Sequence, residues 1–188
     1  MVVMTTTTHD RQSRGTPFVR ADLELMPDDG RRYELIDGSL VVTPAPAFRH
    51  QVVSGQLHLL LAAACPDEMV VLFAPLDVAL DDRSVLQPDL LVAPRRAFTA
   101  QDLPTAPLLV VEILSPSTRH IDLGLKKARY ETAGTSAYWV VDPDGPSITA
   151  WHLVDGVYVE QGWASGDEEL TLDHPFPVTV RPGDLAQV

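Results

Sequence analysis

Hydrophobic and polar residues alternate along this chain in two distinct periods. In RRYELIDGSLVVTP two β-prone runs flank Asp37-Gly38, the favoured pair for a tight type I′ hairpin turn. Within the first run Tyr33 and Leu35 share one face, and Glu34 and Ile36 share the other. From residue 50 to 65 the period changes. Val53, Gln56, Leu57, Leu60, Leu61 and Ala64 recur at three and four residues, which predicts an amphipathic helix ended before Pro66. Residues 69–73 and 76–80 read as strands, Asp81 to Ser84 as a turn, and residues 85–92 as a strand carrying QPDLLV. A short helix is expected over residues 21–26, stopped by the turn at Pro27 to Gly30.

The most apolar stretch is LLVVEILSPST, residues 108–118. Aliphatic residues close around a single carboxylate, Glu112, and the run breaks at Ser115-Pro116. Its shortness and its flanking prolines predict a strand buried on both faces. An ionised carboxylate there is expensive unless a metal or a cation neutralises it. Glu112 is thus either part of a site or half of a buried ion pair. Beyond it, residues 122–132 predict a helix with Gly134 as its stop, placing Leu123, Lys126, Lys127, Tyr130 and Ala133 on one broad face. Strands follow at 137–141, 147–154, 157–163 and 170–172, with turns at Asp142 to Gly145 and Asp155-Gly156, before a Pro-rich tail. This order predicts an α/β domain with a mixed central sheet, from about residue 16 to 188, after a disordered leader over residues 1–15.

Composition narrows the class. At 188 residues and 45% hydrophobic, the chain can build one sizeable core. The single cysteine, Cys65, rules out an internal disulfide and any multi-cysteine zinc site, and suits a reducing cytosol. No apolar run approaches the ~20 residues that span a bilayer, and the N-terminal residues lack a signal-peptide core. A soluble, cytoplasmic protein is expected. The net charge of −12 argues against a broad phosphate-binding surface, and part of it suits carboxylates gathered for a divalent cation.

Two acids stand within or at the start of apolar strands, Asp89 in QPDLLV and Glu112 in LVVEIL. On neighbouring strands, spaced by about 4.8 Å, they would suit shared coordination of Mg²⁺ or Mn²⁺. The plainer reading of Asp89 is a strand start after Pro88. Lys126 and Lys127 have the plainer role of snorkelling from a helix face, and Glu34 that of pairing with Arg31 or Arg32. Asp122 reads as a helix-leading residue within reach of the site. Ser115 reads as part of a capping turn, since no nucleophile signature surrounds it. His50, His58, His120 and His152 lack metal-ligand spacing, and Tyr130 and Trp139 read as core.

Pro88-Asp89, then Glu112 in a buried strand, then a lysine on the next helix, resembles the PD-(D/E)XK nuclease superfamily. YELIDGSL, His50-Gln51, QPDLLV, PLLVVEILSPST, Lys126 to Tyr130 and AYWVVDP, in that order, resemble more closely its Uma-two family of restriction-endonuclease-like proteins. The resemblance implies a restriction-endonuclease-like core with an N-terminal hairpin and extra C-terminal strands. It implies Asp89 and Glu112 as metal ligands, with the Ile113 carbonyl facing the same ion. The superfamily's lysine position holds Leu114, and the family pattern moves that lysine to Lys126. Glu34 matches an early family glutamate that would add a carboxylate near the metal, and His50 and Gln51 match a pair at the start of the long helix. The activity implied is Mg²⁺- or Mn²⁺-dependent hydrolysis of DNA phosphodiesters, guided locally by Arg95-Arg96, Lys126-Lys127 and Arg129. A homodimer is expected on the general grounds that duplex nucleases are often two-fold. Two other classes stand beside it: a nuclease-fold binding module without cleavage, and a metal-dependent hydrolase of a small phosphate ester.

Overall fold

The computed structural model describes residues 15–187; the leader reading lies, apart from Gly15, outside the described residues. A single helical turn, α1 (Arg20–Leu23), shorter than the expected helix, precedes strands β1 (Arg32–Ile36) and β2 (Ser39–Thr43). The hairpin turn between them forms as expected: Asp37 and Gly38 take φ of 51° and 80°, the left-handed pair that a type I′ turn needs. Helix α2 (Phe48–Ala64) buries His50, Val53, Leu57 and Leu61 and ends before Pro66. Strand β3 (Met69–Phe73) follows, then β4 (Val78–Asp81), β5 (Ser84–Leu86) and β6 (Leu90–Pro94).

One expected strand is broken. Residues 85–92 do not run as a unit, because Leu86 ends β5 and Leu90 begins β6, and the two lie in different sheets. Pro88 has no N–H to donate to a ladder, so the chain leaves one sheet there and enters the other. The Gln87 N–H, freed from strand pairing, donates to Glu34 Oε1 at 2.8 Å.

Strands β7 (Leu109–Ile113), β8 (Ala137–Asp142), β9 (Ser147–Val154) and β10 (Val157–Ser165) complete a six-stranded mixed sheet in the order β10-β9-β8-β7-β6-β3. Only β7 and β8 run parallel in it, joined by a helical crossover. The hairpin strands form a second, four-stranded antiparallel sheet, β2-β1-β5-β4. The Pro-rich tail is more ordered than its composition suggests: its strand β12 (Val178–Val180) pairs antiparallel with the expected β11 (Leu170–Leu172), and a single helical turn (Pro182–Leu185) follows.

Side-chain alternation in β7 sorts the core into two clusters. Leu109, Val111 and Ile113 pack with Val53, Leu57 and Leu61 of α2, with Trp139 and with the C-terminal Phe176, Val178 and Leu185. Val110 and Leu114 face the opposite way, among Ile36, Leu86, Tyr130 and Tyr138. Glu112 shares the parity of Val110 and Leu114, so its carboxylate enters the second cluster. Ile36 lies there too, and Glu34 shares its face of β1, which the hairpin alternation predicts. The two sheets thus converge on one buried polar spot. Among the described residues, no helix is long and apolar enough to cross a membrane.

Gly38 holds the hairpin against the preceding segment. A Cβ there would meet Pro17 Cβ at 2.7 Å, in a backbone conformation with φ of +80°. The Gly38 carbonyl also accepts from the Phe18 N–H at 2.9 Å. Gly38→Ala is expected to lose about 1–3 kcal/mol of stability from left-handed strain and crowding, read as a lower urea midpoint at unchanged slope.

Candidate active site

Between β7 and β8 the chain makes a widened π turn (Ile121–Lys126) that runs directly into α3 (Lys127–Ala133), capped by Gly134 at φ 85°. The expected helix over residues 122–132 is therefore two kinds of helix. The wider turn changes the buried face: Leu123 is 41% exposed, while Asp122 and Lys126 are both buried. Such widened turns recur at functional sites.

The Lys126 ammonium sits among three acids from three elements. It lies 3.0 Å from Glu34 Oε1 on β1, 3.1 Å from Glu112 Oε1 on β7 and 3.7 Å from Asp122 Oδ1 on its own turn. Lys126 is 3% exposed and Glu34 is fully buried, so these ion pairs are shielded from water and salt. Burial alone would lower the lysine's pKa, but Glu112 and Glu34 outweigh it and hold the ammonium charged. Burial pushes Glu112 well up, against the pull of Lys126 and with the repulsion of Asp122, Asp89 and Glu34. Asp122 is raised for the same reason, burial opposed by Lys126.

Asp89 occupies the sheet-to-sheet crossing just before β6. Leu90 pairs with Val111, so one further step of that antiparallel register sets Asp89 beside Glu112. Both its oxygens are engaged. Arg32 Nη1 donates to Oδ1 at 2.9 Å, while the Ile113 N–H at 2.9 Å and His50 Nε2 at 3.0 Å meet Oδ2. Burial would raise this carboxyl, but the His50 hydrogen bond, the charge of His50, and then Arg32 and Lys126 hold it down at about 2.

The cluster is rich in acids. Glu34, Asp89, Glu112 and Asp122 share Lys126, Arg32 and, at Asp89, His50. Protons on the raised Glu112 and Asp122, or an added cation, would relieve this crowding of like charge.

The structure brings together Glu34, Asp89, Glu112, Ile113, Lys126 and His50. Ile113 contributes its N–H to Asp89. Gln51 is exposed and lines, with Asp89, Arg32 and His50, a cleft of about 760 Å³. Tyr130 is fully buried against Tyr138, at 5.9 Å between ring centres, and its hydroxyl has no hydrogen-bond partner. Ser115 caps the following turn as expected, accepting from the Thr118 N–H at 3.2 Å.

Three readings need correction. Glu34 does not pair with Arg31 or Arg32 on a surface: Arg32 turns to Asp89, and Arg31 lies 3.5 Å from Asp29. Lys126 does not snorkel. Of the basic residues expected to guide a strand, three are engaged elsewhere, Lys127 over the Trp151 ring at 3.8 Å, Arg129 on Asp81 and Asp37, and Arg95 on the Asp67 carbonyl at 2.8 Å. The arginines on the cleft are instead Arg20, Arg31 and Arg32. The role of Arg32 was missed, although an arginine on the same strand as Glu34, two residues before it, was the available signal.

A family model described as Uma2, "putative restriction endonuclease", matches residues 20–186. The chain belongs to the Uma2 family. A solved structure, titled as a putative nuclease belonging to DUF820 from Anabaena variabilis, superposes with a TM-score of 0.69 at 18% identity, covering 90% of this chain and 97% of that one. The Uma2 chain therefore shares a nuclease fold with it, a central mixed sheet flanked by helices. No curated protein matches the chain.

Two stability outcomes follow from the ion pairs of this Uma2 site. Lys126→Met is expected to lose about 3–5 kcal/mol, because it leaves Glu34, Glu112 and Asp122 buried without their cation; urea unfolding at neutral pH measures it. Asp89→Asn tests the depressed carboxyl. A folded pKa of about 2 against an ordinary 3.8 gives stability that is present above 3.8 and lost as pH falls through about 2. The variant is expected to be less stable than wild type by about 2 kcal/mol at pH 7, and the gap to close as pH is lowered through that window.

Proposed function

We propose that this Uma2 protein is a metal-dependent endonuclease that hydrolyses phosphodiester bonds in DNA, with the cytosol as its compartment. The observation that carries the reading is the buried set of three carboxylates around Lys126, with a fourth, Asp89, held by Arg32 and His50 and opening onto the cleft. Hard oxygen donors suit Mg²⁺ or Mn²⁺. Glu34 Oε2 is also buried, with no hydrogen-bond partner among the described residues. Among the described residues no three His, Cys, Asp or Glu side chains stand ready as a metal-holding group. Lys126 and Arg32 now take up those oxygens. Asp89, Glu112 and the Ile113 carbonyl are the groups that would hold the ion, with Glu34 beside them.

A divalent ion there would supply Lewis-acid polarisation of a phosphoryl oxygen and a lowered pKa for water. The protein's own residues do the rest. His50, Arg32 and the Ile113 N–H keep Asp89 ionised and oriented. Lys126 stays charged and supplies a buried cation to stabilise negative charge developing on phosphorus. Arg32, partly exposed on the cleft, is placed to meet a substrate phosphate.

A second reading, a nuclease-fold binding module without cleavage, is favoured by one feature. Lys126, Arg32 and His50 already engage the carboxylates, so the site is partly satisfied as a structural network.

Calorimetric titration of Mn²⁺, beside nicking by the same samples of circular single-stranded DNA and of supercoiled DNA, whose underwinding opens unpaired segments, separates these. Wild type is expected to bind Mn²⁺ and nick, and Asp89→Asn and Glu112→Gln to lose both, with nicking down by about 100-fold or more. Full nicking by Asp89→Asn would defeat the assignment. Metal binding without nicking would favour the binding module or a small phosphate ester as substrate.

A further inference from the structure

We infer that the cleft beside Asp89 receives an unpaired DNA strand and excludes the intact duplex, an inference that rests on the nuclease reading above. The first argument is depth. Asp89 is 4% exposed, Glu112 1% and Lys126 3%. A duplex carries its phosphates on a stiff rod with a persistence length of about 50 nm, and such a rod does not bend a phosphate down to buried groups. A single strand is flexible enough to bring a phosphate to Asp89 and Arg32, the members of this group that line the cleft.

Size and charge agree with depth. The cleft measures about 760 Å³, within the roughly 300–1,000 Å³ of small-ligand pockets, which suits a nucleotide or two. Its cations, Arg20, Arg31 and Arg32, share the lining with Glu24, Asp28 and Asp77. Arg20 and Arg31 are held by Asp102 and Asp29. Together with the net charge of −12, this is not the broad basic surface that duplex binding by counterion release needs.

Aromatic rings stand beside the few cations of the cleft and offer a surface that unpaired bases can stack on. Phe73, at the end of β3 and 57% exposed, lines the cleft, and so does Tyr33 on β1. The Phe73 ring is held edge-on by His58 at 5.1 Å, and the Tyr33 hydroxyl is tied to Asp29 at 2.9 Å. Exposed rings beside a strand-sized groove are the means by which proteins hold unpaired bases without reading sequence. A rigid duplex keeps its bases stacked on each other, and gains nothing from them.

The test compares a fluorescein-labelled twelve-nucleotide DNA strand with the same strand annealed to its complement. Anisotropy with the full chain in Ca²⁺ reads binding, and Mn²⁺ kinetics read cleavage. The expected result is at least ten-fold tighter binding of the single strand. Phe73→Ala and Tyr33→Ala should each weaken it about five-fold (~1 kcal/mol, the low end of one stacked base), as a rise in KM more than a fall in kcat, with Mn²⁺ affinity retained. A duplex bound as tightly as the single strand, and cut, would overturn this inference and leave the nuclease reading standing. Neither form bound or cut, with Mn²⁺ still binding, would overturn both.

Discussion

The Lys126 ammonium bridges both sheets of this protein and the crossover between β7 and β8. Glu34 belongs to the four-stranded sheet, Glu112 to the six-stranded sheet, and Asp122 to the widened turn of the crossover. One cation therefore fixes how the hairpin sheet, the central sheet and the crossover meet. A buried group of this kind contributes little net stability, because desolvation offsets much of the attraction. Its effect is specific: unless all three elements arrive together, buried carboxylates are left without a partner.

The crossing at Gln87-Pro88-Asp89 supplies the second constraint. Pro88 breaks the ladder, the Gln87 N–H is spent on Glu34, and Asp89 is delivered to the Ile113 N–H. A single loop thus ties the acid of one sheet to the acid of the other. It also explains why Asp89, alone of the four carboxylates, lines the cleft. The other three lie behind it, under the apolar cover of Tyr130, Tyr138 and Leu114.

Features written in local chemistry were legible in the sequence. The Asp37-Gly38 turn, the Gly134 cap and the apolar period of α2 each depend on residues a few positions apart. Of the two alternatives for Glu112, site or ion pair, the structure shows the ion pair, with Lys126 as its cation. What escaped depended on distance. The alternation of SVLQPDLLV continues across Pro88, so nothing local shows that the strand changes sheets. Glu34 has a neighbouring arginine as an obvious partner, and only the tertiary fold turns Arg32 away to Asp89. The π turn is invisible to a periodicity of 3.6, and it exchanges Leu123 for Asp122 on the buried face. Val178 to Val180 is too short, and too close to prolines, to stand out as a strand.

Why a core should keep this cluster at all is the remaining question, and stability does not answer it. Apolar residues of similar volume in place of a buried ion-pair group are often neutral or stabilising, by about 1–4 kcal/mol. The position between Val110, Leu114 and Tyr138 would accept them. Pure architecture would also keep like charges apart, whereas this set crowds four acids into one buried spot. Crowded acids under a cleft are an unfavourable way to build a core and a favourable way to prepare a cation site. Strain of this sort concentrates where chemistry is done. On the proposed reading, these acids repel an approaching phosphate until a cation is bound, so cation loading would have to precede, or accompany, entry of the strand.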